Sequence, residues 1–524
     1  MKKYFWMILI AAFAVRIIGI AAIPAGINQD EAMGAVDAWA LSMYGTDRYG
    51  TFLPVHFTAW RYSQMSVLLA YLMIPFIKIM GFNIYAIRLP LVLASTMGIA
   101  LIYLISKKFF SEKTSLVIMA LAAINPWHFM QSRWALDCNL FPHVFLLGFY
   151  LLLLGLEKKR YLYLSMICFG LTFYCYGIAV YSVPVFLFVY AAWCLLKKQL
   201  PFKDILISVL IFMSVALPEI ITMALNVLHR PSIETPLFTM PYFPESVRGN
   251  DILFMNFSFE QLGKNIMAMV KQVFMQMPDS LFNTLPAFGP LYHISIPFIL
   301  IGMVQFTRRL FVEKNIKKQT IDLALWGFLI TGIWVGFVTY EVNVNRINII
   351  FYPLIVLCGY GIWQTIEWCG KHGKKLRNCL IVAYSVFGIA FFAQYYTDFA
   401  KYIPSYFNVD FLEITKTADK LEEYDSFYIT SNMGWQTNPD MAEILTQYSC
   451  RIDAQYYQEK ITTHQGKELL PYSERYHFVH MKDQTFEDTE SIYVIHQSET
   501  GYLPEGYEVL SENDSFLIVK IPMM

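Results

Sequence analysis

The sequence is poor in charge, in cysteine and in repetition. Only 15% of its 524 residues are charged, where soluble domains carry roughly a quarter, which excludes an ordinary soluble chain. Lysine plus arginine and aspartate plus glutamate each number 40, for a formal net charge of +0. There is no basic surplus to bind phosphate backbones, so no nucleic-acid partner is expected. Seven of the eight cysteines lie in or beside apolar runs. Cys450 alone falls in the polar C-terminal part, which therefore closes no disulfide within itself. No internal repeat relates one half to the other, and such repeats are the usual mark of a secondary transporter.

Apolar residues are what the chain has, 56% of the total. Apolar runs recur from residue 4 to about residue 397, many near the roughly 20 residues of a bilayer span. The N-terminal run after Met1-Lys2-Lys3 reads as an uncleaved span rather than a signal peptide. Basic clusters separate the runs: Lys2-Lys3, Lys107-Lys108, the stretch ending at Arg160, Lys197-Lys198, Arg308-Arg309 and the stretch ending at Arg377. The positive-inside rule places all six in the cytoplasm. Residues 24–85, 125–138, 177–181, 226–293, 341–346 and everything after about 397 then face out. Residues 63–81 are long enough to span, but a span there would turn every later cluster outward. They are expected to lie along the outer interface or to re-enter the membrane instead. The expectation is a mainly α, polytopic bundle of about 11 spans, N-terminus inside and C-terminus outside, in the plasma membrane.

From residue 398 the character changes, with 22 acidic against 9 basic residues. The runs "SFYIT", "RYHFVHM", "SIYVIHQ" and "SFLIVKI" read as strands, and "NPDMAEILTQY" as a capped helix. Residues 1–397 are thus expected to form a transmembrane domain, and 398–524 a small extracytoplasmic α/β domain.

The first outer stretch, "AIPAGINQDEAMGAVDAW", places two acids side by side. Asn28 is suited to cap a helix, with Glu31 three residues later in a variant of the capping box. Ala32, Met33, Val36, Trp39, Ala40 and Met43 recur at helical spacing, and Gly45 ends the helix. An amphipathic helix on the outer membrane surface is expected. Two readings of Asp30 and Glu31 stand together. Both serve the positive helix N-terminus, or one is a catalytic base. Neighbours on a helix diverge by about 100°, so both carboxylates do not point into one site.

A first span, then "NQDEA", then "YGTDRYGTFLPVHF", then a surface helix ending "PFIKIMGFNIYAIRLP" resembles the family 39-like glycosyltransferases of superfamily C. That group includes protein O-mannosyltransferases and the aminoarabinose transferases acting on lipid A. The resemblance implies an inverting transfer of one sugar from a polyprenyl-phosphate donor to an acceptor hydroxyl on the outer face. It implies Asp30, with Glu31 beside it, at the transfer site as general base, since an acceptor hydroxyl is a poor nucleophile at neutral pH. It implies Asp137 of the second outer loop as a supporting acid. The leaving phosphate needs positive charge, and Arg346, Arg133 and Arg61 are the candidates. Relatives often carry a lysine in a "YEKP"-like string where this chain has Arg61-Tyr62-Ser63-Gln64.

No cofactor follows with certainty. A divalent metal on Asp30, Asp137 and His128 is compatible with the residue types, but their spacing carries no ligand signature. The plain readings are an Arg133–Asp137 pair at helical spacing, a snorkelling Arg346 and a lone aromatic-loop His128. Expected partners are the lipid-linked donor, membrane lipids, and a protein, polysaccharide or lipid acceptor. The alternative is a lipid-linked-sugar flippase or transporter without transferase activity. Its best feature is Glu219 beside Pro218. Otherwise ionisable residues within spans are scarce, Arg16 and Glu367 being placed near cytoplasmic ends.

Overall fold

The computed structural model describes residues 1–59, 64–244, 252–421, 424–464, 466–486 and 490–522. The chain divides into two compact units. One comprises Met1–Ile20, Arg88–Leu228 and Ser246–Phe399, and the other Ala21–Ile87, His229–Glu245 and Ala400–Met524.

The first unit is helical. Among the described residues, eight helices of the chain are long and apolar enough to cross a membrane. Three further apolar helices in this unit are shorter: α1 (Lys2–Ile17), Glu112–Ile124 and Lys159–Leu171. Between apolar helices no hydrophobic drive operates in lipid, so close packing of small residues matters. Gly302 and Gly361 meet this need where the helices Ile296–Val312 and Phe351–Trp368 cross. A Cβ on Gly302 would strike the Leu357 carbonyl, and one on Gly361 the Phe298 carbonyl. Gly155 accepts Leu162 in the same way at the turn between Phe141–Gly155 and Lys159–Leu171.

The second unit joins the first outer stretch to the C-terminal tail. Each of the four runs read as strands contains one: Phe427–Thr430, Tyr476–Val479, Ile492–His496 and Phe516–Lys520. With Glu508–Glu512 they form a five-stranded sheet. Phe427–Thr430 runs parallel to both its neighbours, and the last three strands in the chain pair antiparallel. The helix Pro439–Ser449 leads from the first strand toward the second, and Asn438 caps it, accepting from the Met441 N–H at 3.0 Å. One face of the sheet buries Tyr493, Ile495, Leu517 and Val519 against Met481 and Phe486.

The helix α2 (Gln29–Tyr44) packs against α3 (Leu68–Met80) and Pro439–Ser449. It begins at Asn28, as expected, and ends at Gly45 in the left-handed conformation, φ 71°. It is not an amphipathic surface helix. Residues 31–38 are buried on every side, because α3 covers one face and the tail another. The apolar spacing read as one stripe is part of an all-round apolar surface. By contrast α3 has two faces. Leu69, Ala70, Met73 and Ile77 are buried, while Leu72, Ile79 and Met80 are exposed. At 13 residues it is about 20 Å long, short of the roughly 30 Å of a hydrocarbon core.

Candidate functional site

Asp30 and Glu31 lie in the second unit, in the first turn of α2. The chain enters that helix through a fixed approach. Gly26 has φ 77°, a region that suits glycine, and a Cβ there would strike the Phe407 backbone. The Ile27 N–H donates to the Phe407 carbonyl at 2.8 Å, and Asn408 donates to the Ile27 carbonyl at 3.2 Å. The Asn28 side chain accepts from the Asp30 N–H at 3.1 Å, so the cap is Asn28. Glu31 is fully buried, whereas Asp30 is half-buried. The two acids diverge, and Asp30 is the one that retains access to solvent.

Two residues that the sequence reading left without a role hold α2 in place. Asp37 and Arg48 form an ion pair at 2.5 Å, both buried. The Arg48 N–H donates to the same carboxylate at 3.1 Å, and its other terminal nitrogen donates to the Thr58 carbonyl at 2.9 Å. Burial works against both charges and pushes Asp37 above the ordinary carboxylate range. Against the same burial penalty, the Asp37 carboxylate holds Arg48 above its own ordinary value. Asp47 shapes the turn, accepting from Tyr49 and Thr51 at 3.0 and 2.8 Å. The tail closes over this turn. Gln458 donates to the Arg48 carbonyl at 2.9 Å, and the Tyr44 hydroxyl to Asp453 at 2.7 Å. The motif "YGTDRYG" is therefore a brace for the helix that carries Asp30. Its signal in the sequence was an acid, Asp37, in the middle of an otherwise apolar helix.

Asp137, Arg133 and Arg346 lie in the first unit. Asp137 opens a short turn, its carboxylate accepting from the Cys138 N–H at 2.6 Å. Arg133 is fully buried and caps the end of α1. One terminal nitrogen donates to the carbonyls of Val15, Arg16 and Ile18 at 2.9–3.0 Å, and Nε to the Tyr395 hydroxyl at 2.9 Å. Arg346 is half-buried. Its Nη1 donates to the Thr339 hydroxyl at 3.2 Å and to the Glu341 carbonyl at 3.0 Å. The loop of Asp137 and the segment of Arg346 are neighbours. Gln131 donates to Asn345 at 3.3 Å, and Asn348 to the Cys138 carbonyl at 2.7 Å. Arg61 lies outside the described residues. Glu219 is buried, one residue after Pro218 in the helix Phe202–Val227.

His128 belongs to a different cluster. Arg16 donates to its Nδ1 at 2.9 Å, and its Nε2 meets the Tyr352 hydroxyl at 3.0 Å. The same hydroxyl reaches His143 Nδ1 at 2.7 Å. Arginine has no acceptor, so His128 Nδ1 accepts, Nε2 donates to Tyr352, and Tyr352 donates to His143. Both ring nitrogens of His128 are thereby engaged. Among the described residues no group of three or more His, Cys, Asp or Glu is arranged to hold a metal. Arg16 is in the last turn of α1, at the end opposite Lys2-Lys3. Its placement near a cytoplasmic end is corrected accordingly.

Residues 65–218 match the family model of the dolichyl-phosphate-mannose-protein mannosyltransferases. No curated protein matches the sequence. Among solved structures, the chain is similar to ArnT from Cupriavidus metallidurans bound to undecaprenyl phosphate. The TM-score is 0.60 at 11% identity, covering 99% of this chain and 98% of that one. The apo form of the same protein gives 0.58 at 9%, with the same coverage. An Archaeoglobus fulgidus oligosaccharyltransferase, in complex with Zn and sulfate, gives 0.53 at 10%, covering 84% of this chain and 61% of that one. The resemblance to the polyprenyl-phosphate-dependent glycosyltransferases is thus borne out. The chain has an ArnT-like fold and, over residues 65–218, matches the mannosyltransferase family model.

Proposed function

We propose that the protein is an integral-membrane glycosyltransferase that moves one sugar from a polyprenyl-phosphate donor to an acceptor hydroxyl on the outer face. Asp30 accepts the hydroxyl proton as the oxygen attacks the anomeric carbon. The carbon–oxygen bond to the phosphate breaks in the same displacement, which inverts the centre. One base suffices, without the paired carboxylates of a retaining enzyme. The leaving phosphate monoester is a stable anion and needs no protonation, only positive charge. Arg346 supplies it, since a planar guanidinium suits phosphate. Asp137 supports the site from the second outer loop, and Arg133 acts through its cap on α1. Glu31, fully buried, holds the head of the helix.

The observation that carries this reading is the divergence of the two acids at a capped, braced helix start. Asp30 alone of the pair keeps access to an incoming hydroxyl. The likeness to a protein solved with undecaprenyl phosphate supports a polyprenyl-phosphate donor. An acceptor peptide tethered to the archaeal relative favours a protein acceptor over a polysaccharide or lipid. The eight long apolar helices support the polytopic reading of the charge pattern. All three segments of the second unit fall within, or a few residues of, stretches that this pattern assigns to the outer side. The tail is accordingly extracytoplasmic.

Membranes holding wild type or Asp30→Asn, supplied with a panel of radiolabelled polyprenyl-phosphate sugars, test the proposal. Label passing to protein, polymer or lipid with wild type alone is expected. Equal transfer by Asp30→Asn would remove the base, and no transfer from any donor would count against the transferase itself.

A further inference from the structure

The helix Phe259–Val273 wears its amphipathicity inside out. Phe259, Ile266, Met267, Val270 and Phe274, spaced on one helical face, are exposed, with Phe259 at 82%. The preceding turn adds exposed Phe254, Met255 and Phe257. The opposite face is polar and turned into the protein. Gln261 donates to the Tyr340 carbonyl at 2.6 Å, Asn265 to the Thr339 carbonyl at 2.7 Å, and Gln272 to the Val342 carbonyl at 3.4 Å. Met269 fills the notch left by Gly336, near the C-terminal end of the span Ile316–Val338. A contiguous exposed apolar face of this kind marks an interaction surface.

We propose that this helix is seated in the interfacial layer of the bilayer and positions Arg346. Three features select lipid as the occupant. The face carries phenylalanine, methionine and isoleucine, flanked by the exposed Lys271, whose charge complements anionic headgroups, and by Lys264, which pairs with Glu260 at 2.7 Å. The helix is docked on the end of a membrane span. Its polar stripe, which in a free interfacial helix would face water, is spent on backbone carbonyls. Those carbonyls belong to residues 339–342, and within that segment the Thr339 hydroxyl and the Glu341 carbonyl hold Arg346. Gln261 and Asn265 are thus positioning residues that act through Arg346. The positioning half rests on the phosphate role proposed for Arg346. The seating half does not.

The test uses the full chain in vesicles of phosphatidylethanolamine and phosphatidylglycerol. A nitroxide is attached at Ile266→Cys, with the exposed Cys369 and Cys379 changed to serine. Relaxation by oxygen exceeding that by a water-soluble nickel chelate is expected, and the reverse would overturn the seating. Undecaprenyl phosphate is then titrated into nanodiscs holding wild type, Asn265→Ala, Arg346→Ala or the double variant. Each single change is expected to weaken binding about three- to tenfold, the range of one lost hydrogen bond. The double variant should bind no more weakly than Arg346→Ala, whereas a merely structural Asn265 would give additive losses. Binding unchanged by Arg346→Ala would overturn the phosphate reading and the positioning with it. Binding weakened by Arg346→Ala but not by Asn265→Ala would overturn the positioning alone.

Discussion

Arg48→Ala is the sharpest probe of the brace beneath Asp30. It removes the ion pair at 2.5 Å to Asp37, the hydrogen bond at 2.9 Å to the Thr58 carbonyl, and the guanidinium's contact over the Tyr49 ring at 4.6 Å. It leaves Asp37 buried without its counter-charge. Breaking one side of a buried pair costs about 3–5 kcal/mol, and the pair is too buried for solvent to screen that cost. Replacing both partners by apolar residues of similar size, as in Asp37→Leu with Arg48→Met, should be close to neutral, because both desolvation penalties vanish together. Hydrogen exchange of the α2 amides, followed by mass spectrometry in detergent, reads the local opening free energy directly. The single variant should exchange roughly two to four orders of magnitude faster, while the double variant stays near wild type. A loss under about 1 kcal/mol in Arg48→Ala, the scale of an exposed pair, would refute the assignment of a buried brace.

Other outcomes follow from single contacts. Asn28→Ala should destabilise the start of α2 by about 0.5–2 kcal/mol, visible as faster exchange confined to its first turn. Gly98→Ala drives a Cβ into the Tyr352 hydroxyl and His143 and should lower thermal stability by about 1–3 kcal/mol, read as a fall in the unfolding midpoint. Arg133→Ala should fray the end of α1 rather than weaken binding of undecaprenyl phosphate, because its Nη1 donates to the carbonyls of residues 15, 16 and 18. Weaker binding with α1 exchange unchanged would restore it to the phosphate.

Much of the fold was legible because hydropathy and charge act locally. Each lysine pair prefers one side of a bilayer, and alternating apolar residues read as strands wherever they fall. Asn28, Gly45 and Asn438 were legible for the same reason, since a cap is decided by a side chain and a backbone group within three residues. The surface placement of α2 failed because helical periodicity reports which residues are apolar, not how many partners will cover them. Helix Pro439–Ser449, about 400 residues further along the chain, buries a face that α3 alone would have left open. The acid Asp37 inside the helix was legible, but its partner Arg48 was not, on the same ground. Their pairing depends on a turn returning against the helix, and no local pattern announces it.

The site residues show the same division between local and distant causes. That Asp30 and Glu31 point apart follows from helix geometry alone. Which of them is covered depends on the approach through Gly26, Phe407 and Asn408, the last two of which come from the tail. Arg133 and Arg346 looked alike as lone arginines of outer loops. What separates them is the supply of orphan carbonyls nearby. The end of α1 offers Arg133 three of them in a buried setting, and a guanidinium with five donors and no acceptor is drawn to such a place. Arg346 donates to the Thr339 hydroxyl and the Glu341 carbonyl and remains half-buried. The helix that holds these two partners through residues 339–342 has its own apolar face turned outward. On the proposed reading, the residue that meets the lipid phosphate is the one whose supporting helix is itself built to meet lipid.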